Sequence, residues 1–353
     1  MRKKIIYFSV GIAFAACAMS ANAQEATVAT VPEGMITFAL AHGTTSYLSL
    51  PLTNNETYTS SVTAVTTNSI SVGDTPAPFT SSLATAAAPY FVKFLSGNEM
   101  GRILLITANT ASSLTLDTTD HSIGASVLLT TTGFNVQVGD TFEIFPGDTL
   151  ASVFGANTTA NPLVLTGSVN VVNADTVALY TMSGAPAVTY YFSTIGGCWE
   201  QYGGAPVNAN NTIIYPYSAL TVTLRPSHPN ANLVLGGRVT PVQAQIKVVS
   251  KGTIYTSSHY ATDIKLSQLQ FGSNWVTSTN VVSADTLNVW DAALGHFDTY
   301  YQKPDSTWRK YGDTVTDQSS FAIAAGTVTT ITKRETVSGA AAFLQPPLPY
   351  SLD

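Results

Sequence analysis

Asn170-Val171-Val172-Asn173-Ala174-Asp175-Thr176 returns 110 residues further on as Asn280-Val281-Val282-Ser283-Ala284-Asp285-Thr286. A match that persists at one offset beyond a single short run marks a repeated structural unit. Thr189-Tyr190-Tyr191 answers to Thr299-Tyr300-Tyr301 at the same offset, and Trp199, Tyr202 and Gly203 answer to Trp308, Tyr311 and Gly312 after a slip of one residue. Upstream, Leu150 to Gly155 resembles Leu266 to Gly272 in pattern, with the loop from Asn157 to Pro162 taking up the extra length. Each copy reads as a short helix followed by a group of strands.

The helices are expected over Asp148 to Phe154, with Asp148 as N-cap and Gly155 as terminator, and over Thr262 to Phe271, capped by Thr262 or Asp263 and ending at Gly272. Between Met35 and Phe145 apolar and polar residues alternate, as in Ser69-Ile70-Ser71-Val72, and Thr and Val dominate, which suits a pleated backbone. Hairpins are expected at 62–72 and 102–116, and a turn and strand at 138–145. The predicted fold is therefore all-β, a small N-terminal barrel or sandwich followed by two related sandwich-like modules, each preceded by a short helix. Boundaries fall near 147 and 260, giving an N-terminal domain over 24–147, a first module with linking strands over 148–260, and a second module with its tail over 261–353. The linking segment Pro226 to His259 either completes the first module or pairs strands across the two. No long Pro/Ser-rich linker separates the copies, so they are expected to pack on each other or on the N-terminal domain.

Arg2, Lys3 and Lys4 precede an apolar stretch from Ile5 to Ala18, and Ala21-Asn22-Ala23 supplies the small residues of a cleavage site, so residues 1–23 read as a secretory signal. Phe14-Ala15-Ala16-Cys17 resembles a lipoprotein box and offers an alternative cut that leaves Cys17 lipidated. The stretch is short for a membrane span, which takes about 20 apolar residues, and no transmembrane segment is expected in the mature chain. Strand runs broken by Gly and Pro also fall short of the roughly 10 residues of outer-membrane barrel strands. Loss of the signal removes three of 15 basic residues and no acidic one, leaving 12 against 21 and a formal charge of −9. That balance argues against nucleic acid or anionic lipid as a partner. Charged residues make up 10% of the chain, against about 25% in ordinary soluble domains, a composition common in extracellular β proteins. Cys198 alone remains after cleavage, so no intramolecular disulfide forms, and its setting between Gly197 and Trp199 reads as a small buried side chain.

The repeated aromatics are the leading candidates for ligand contact: Tyr190, Trp199 and Tyr202 in one copy, Tyr300, Trp308 and Tyr311 in the other. Exposed Tyr and Trp rings stack on sugars or on other proteins. The competing reading places alternate rings in the core, since adjacent tyrosines on a strand point to opposite faces. Asp175 and Asp285 fit a structural role, accepting backbone N–H bonds before the following strand, with calcium as the sharper alternative. No nucleophile elbow, paired-histidine zinc motif, cysteine cluster or phosphate loop is present, so no catalytic residue, cofactor or metal is assigned.

At Gly101-Arg102-Ile103-Leu104-Leu105-Ile106, at Val138 to Ile144, at the two Ala-Asp-Thr repeats and at Gln345-Pro346-Pro347-Leu348-Pro349-Tyr350, the chain resembles an uncharacterised family of secreted, β-rich proteins of about 350 residues from Verrucomicrobia and related bacteria. The resemblance implies export from a Gram-negative-type cell, to the periplasm, outer surface or medium, and carries no site residues. The resulting expectation is a secreted or surface-associated, non-catalytic β protein with a structural, adhesive or glycan-binding role, whose partner is a glycan or another envelope protein. The alternative is a secreted carbohydrate-active hydrolase or lyase, for which Glu200 beside Trp199, and His296 near Asp298, would be the starting points.

Overall fold

The alternation that begins at Met35 folds into strands joined by turns, and among the described residues helix is confined to two short turns. The structure, a computed structural model, describes residues 32–79, 83–84, 89–120, 125–126, 129–131, 134–180, 187–216, 218–248, 251–257, 260–272, 275–334, 342–344 and 346–350. The expected signal segment and Cys17 lie outside the described residues, as do His121 and His259.

Seven strands make one sheet in the order Tyr58–Ser61, Thr141–Pro146, Tyr90–Phe94, Ile103–Asn109, Ser113–Leu116, Ser69–Ser71 and Ala64–Val65. Its two outermost strands are separated in the chain by Val62 and Thr63 alone. Val62 N–H donates to Asp140 O (2.8 Å), and the next amide, Thr63 N–H, donates to Ser71 O (2.8 Å), at opposite ends of the sheet. The sheet has to curl until its edges meet at this bent strand, as in a small barrel. Val92, Phe94, Ile106, Leu114, Phe142 and Ile144 fill it. Both expected hairpins are present, as Ala64–Val65 with Ser69–Ser71 and as Ile103–Asn109 with Ser113–Leu116.

Two five-stranded sheets follow the same plan. The first runs Cys198–Gln201, Val188–Ser193, Thr176–Leu179, Ala219–Thr223, Thr45–Ser49, and the second runs Trp308–Lys310, His296–Gln302, Thr286–Asp291, Val328–Lys333, Gly252–Ser257. Registers agree as well: Thr176 pairs with Tyr191 and Thr223, and Thr286 with Tyr301 and Thr332. Each sheet has a companion ribbon, Glu33–Leu40 with Ala231–Arg238 in one case and Ile246–Val248 with Ala342–Leu344 in the other. The linking segment therefore splits, its first strand completing the first unit and its second beginning the next. The units differ in one step. The second passes from Ser257 to Ile264 directly, whereas the first leaves at Ser49, runs through the barrel and returns at Asp148. Strands that precede the barrel in sequence thus lie in the first sheet, and residue 147 marks the return of the chain.

The helices are shorter than the sequence predicts. The first spans Leu150–Phe154 and its N-cap is Thr149, not Asp148: Ser152 N–H donates to Thr149 Oγ1 (3.2 Å) and Thr149 N–H to Ser152 Oγ (2.8 Å), a reciprocal capping box. Asp148 instead pairs with Ile214 in a two-residue strand. The helix stops at Gly155, whose φ of 92° favours glycine. The second helix reduces to one 3₁₀ turn, Leu266–Gln268, because Lys265 at its start offers no side-chain acceptor.

The two sheets meet through their outer faces. Tyr47 lies against Trp290, with ring centroids 4.3 Å apart, and Tyr180 stacks on Tyr255 at 4.5 Å. Tyr47 and Tyr255 hold equivalent places opposite Thr221 and Thr330 on the edge strands, and Tyr180 and Trp290 are 110 residues apart. Each contact is thus the counterpart of the other, the arrangement a two-fold interface produces.

Candidate functional site

Of the six aromatics predicted from the repeat, four are built into the cores. Trp199 and Trp308 are fully buried, Tyr300 is 1% exposed and Tyr190 8%. Trp199 packs on Phe154 and Phe192, and Trp308 on Phe271 and Trp275. Alternation dictates this outcome, because these rings occupy the inward positions of strands that cover a single apolar layer. In this conformation neither indole presents a face to solvent. Burial also pushes the Tyr300 phenol far up from its ordinary value, with the Asp298 and Asp291 carboxylates adding to the shift. Tyr202 and Tyr311 differ from the other four. They are 61% and 68% exposed, at equivalent places just beyond the hairpin strands, held by Tyr202 N–H to Thr189 O (2.8 Å) and Tyr311 N–H to Thr299 O (2.7 Å). Gly203 and Gly312, both at positive φ, follow them and turn the chain.

The repeated aspartates are structural anchors. Asp175 Oδ2 accepts from Thr166 N–H (2.8 Å) and Oδ1 from Arg225 N–H (2.8 Å), while His228 Nδ1 lies 2.7 Å from Oδ1. Asp285 Oδ2 accepts from Val276 N–H (2.7 Å) and Oδ1 from Arg334 N–H (2.8 Å), and Lys333 Nζ contacts Oδ2. Both carboxylates are buried, and each ties three chain segments together. Among the described residues no group of three His, Cys, Asp or Glu side chains is placed to hold a metal. Glu200 accepts from the Tyr191 hydroxyl (3.1 Å), and Asp298 is engaged by Lys310 (2.6 Å) and His296 (3.3 Å), so each carboxylate is occupied by its neighbours. Cys198 is buried, and desolvation, with the nearby Glu200 charge, raises its thiol pKa.

Sequence reasoning missed two polar sites where the barrel meets the first sheet. In one, Lys93 is fully buried, contacts Thr240 Oγ1 and lies 3.8 Å from Glu143, which Arg238 bridges to Glu56. Desolvation pulls the Lys93 ammonium down to about 8, the Glu143 charge opposing the shift and that of Arg238 adding to it. The other is a cavity of about 250 Å³ lined by Asn54, Asp148 and Ser152 on a polar side and by Leu52, Val153 and Val234 among its apolar residues. Asn54 Nδ2 donates to Asp148 Oδ1 (3.3 Å) and to Pro146 O (3.1 Å), and Ser152 Oγ donates to the same carboxylate oxygen (3.2 Å). Desolvation nevertheless dominates and holds the Asp148 carboxyl above the usual carboxylate range. These residues come from segments on either side of the barrel, a proximity that no local pattern signals.

Comparison with protein-family models, with curated proteins and with solved structures gave no match. Among the described residues no helix is long and apolar enough to cross a membrane.

Proposed function

We propose that the chain is an exported, non-catalytic β protein of the cell surface or envelope, built from two copies of one module with a barrel inserted in the first, and that it serves in adhesion or glycan binding. Export rests on the basic and apolar run of residues 1–23, and the resemblance to secreted β-rich proteins agrees with it. The observation that carries the binding role is the pair Tyr202 and Tyr311. The buried residues common to both copies have packing or hydrogen-bonding work, whereas these two keep a large ring in solvent at the same place twice. An exposed tyrosine kept in both copies suits stacking on a sugar ring or a partner surface.

The test is a glycan array and an envelope pull-down with the chain lacking residues 1–23, alongside the double variant Tyr202→Ala/Tyr311→Ala. Retained binding by the parent and loss by a variant of unchanged melting temperature is the expected result. If the parent captures nothing, or the double variant binds equally well, the reading fails.

A further inference from the structure

The cavity beside Asp148 has the size, wall chemistry and position of a ligand site, and we propose that it holds one neutral, hydroxyl-rich ring, a single sugar residue. The inference rests on the glycan-binding reading but assigns it a second place in the molecule, remote in sequence from Tyr202 and Tyr311. A space of about 250 Å³ equals the liquid volume of about eight waters at ~30 Å³ each, which suits one sugar ring and excludes a long oligosaccharide. Pockets of this kind form preferentially where two domains meet, and combine an apolar lining with a few placed polar groups. Here the chain leaves the first sheet along Leu50 to Asn54 and returns along Gly147 to Asp148, and both passages line the space.

The polar side presents acceptors. Asn54 and Ser152 both donate to Asp148 Oδ1, which fixes the carboxyl and leaves its Oδ2 without a partner among the described residues. A ligand hydroxyl supplies the missing donor. Desolvation raises the pKa of this carboxyl, and among the described residues no cationic side chain lines the space beside it. Leu52, Val153, Val234 and Leu235 add apolar lining against which the C–H face of a pyranose would pack.

The second unit provides an internal control. Asp148 pairs with Ile214, and its counterpart Ile264 pairs with Ile323. Each stands two residues before a buried leucine, Leu150 or Leu266, and Ile264 is itself fully buried. The position is a core isoleucine where the chain runs straight on and a carboxyl facing a cavity where the barrel is inserted. A carboxylic acid replacing a core residue with no ion pair is a costly substitution for packing alone.

Gly236 permits a clean test. It lines the cavity, its φ is ordinary, and an added Cβ would meet no atom within 4 Å. Gly236→Leu therefore adds a side chain at the lining of the space without backbone strain. Saturation-transfer NMR and calorimetry would be run on the mature chain with glucose, galactose, mannose, rhamnose and N-acetylglucosamine, each up to roughly 50 mM, a limit that still registers millimolar affinity. At least one sugar is expected to bind the parent and to weaken at least about tenfold in Gly236→Leu, whose melting temperature stays unchanged or rises. Asp148→Asn, which keeps the shape and the Asn54 contact, serves as the second variant and is expected to weaken the same sugar. No binding to the parent, or equal binding to Gly236→Leu and Asp148→Asn, overturns the site. Array binding that depends on Tyr202 and Tyr311 but ignores free monosaccharides would sink this cavity and leave the surface reading standing.

Discussion

The first and second five-stranded sheets keep the same buried carboxylate and change the basic side chain beside it. Asp175 has His228, whose side chain is 15% exposed, and Asp285 has Lys333, 1% exposed. The backbone bonds to the two carboxylates are otherwise matched. What the fold requires at this point is two amide donors converging on one acceptor before a strand. The basic partner is supplied locally and is free to drift.

Four measurements break or sharpen that comparison. Asp285→Ala removes the carboxylate beside a buried ammonium and is expected to cost about 3–5 kcal/mol, whereas Asp175→Ala removes the partner of a histidine whose side chain is 15% exposed, for a cost of about 1–3 kcal/mol. Equal shifts in the urea midpoint would show that the cation is irrelevant.

Lys93, fully buried at the barrel junction, lies 3.8 Å from Glu143, and desolvation still pulls its ammonium down to about 8. With an unfolded value near 10.4, Lys93 binds more proton unfolded than folded between these limits, so its own contribution to stability rises with pH across about 8 to 10.4, against the opposite pull, towards the upper end, of tyrosines that burial holds above their ordinary value. The gain is on the order of 3 kcal/mol, and Lys93→Met should abolish the rise while Glu143 keeps Arg238. Chemical denaturation of the parent and of Lys93→Met at pH 7.5 and pH 10.5 measures it, and the same pH dependence in both would contradict the placement of Lys93.

The paired indoles are expected to separate by less. Trp199 Nε1 donates to Gly155 O (2.8 Å), the carbonyl that ends the first helix. Trp308 Nε1 is buried without an acceptor among the described residues, because the second helix is a single turn that brings no carbonyl to it. Trp199→Phe should therefore cost about 1–2 kcal/mol more than Trp308→Phe, as read from thermal unfolding of each variant. Smallest of all, Tyr202→Ala and Tyr311→Ala should each change stability by no more than about 0.5 kcal/mol, and a larger loss in either would return that ring to the packing inventory.

Much of this architecture is legible in the chain. The repeat at Asn170 and Asn280 predicts two related modules, and the period-two alternation before residue 145 predicts the barrel strands and both hairpins. Adjacent tyrosines announce that one of each pair turns inward, and Tyr190 and Tyr300 do so. The helix limits are not legible to the residue: Asp148 and Thr149 are both good caps, and only the position of Ser152 decides between them. The insertion of the barrel is harder to see. Its signal is Thr45-x-Tyr47-x-Ser49 answering Thr253-x-Tyr255-x-Ser257 at an offset of 208, too short to stand out and displaced from 110 by the inserted residues themselves. The Asp148 cavity depends on that insertion, so it was invisible for the same reason.

The detour into the barrel begins and ends within one side chain's reach, Asn54 touching both Pro146 O and Asp148 Oδ1. A gap that narrow makes the first unit a socket and the barrel a plug. The second unit carries the closed version, crossing from Ser257 to Ile264 with nothing inserted. Any folded body whose two ends lie equally close fits the same opening with both five-stranded sheets left in place, so this loop is where a new recognition domain is most simply carried to the surface.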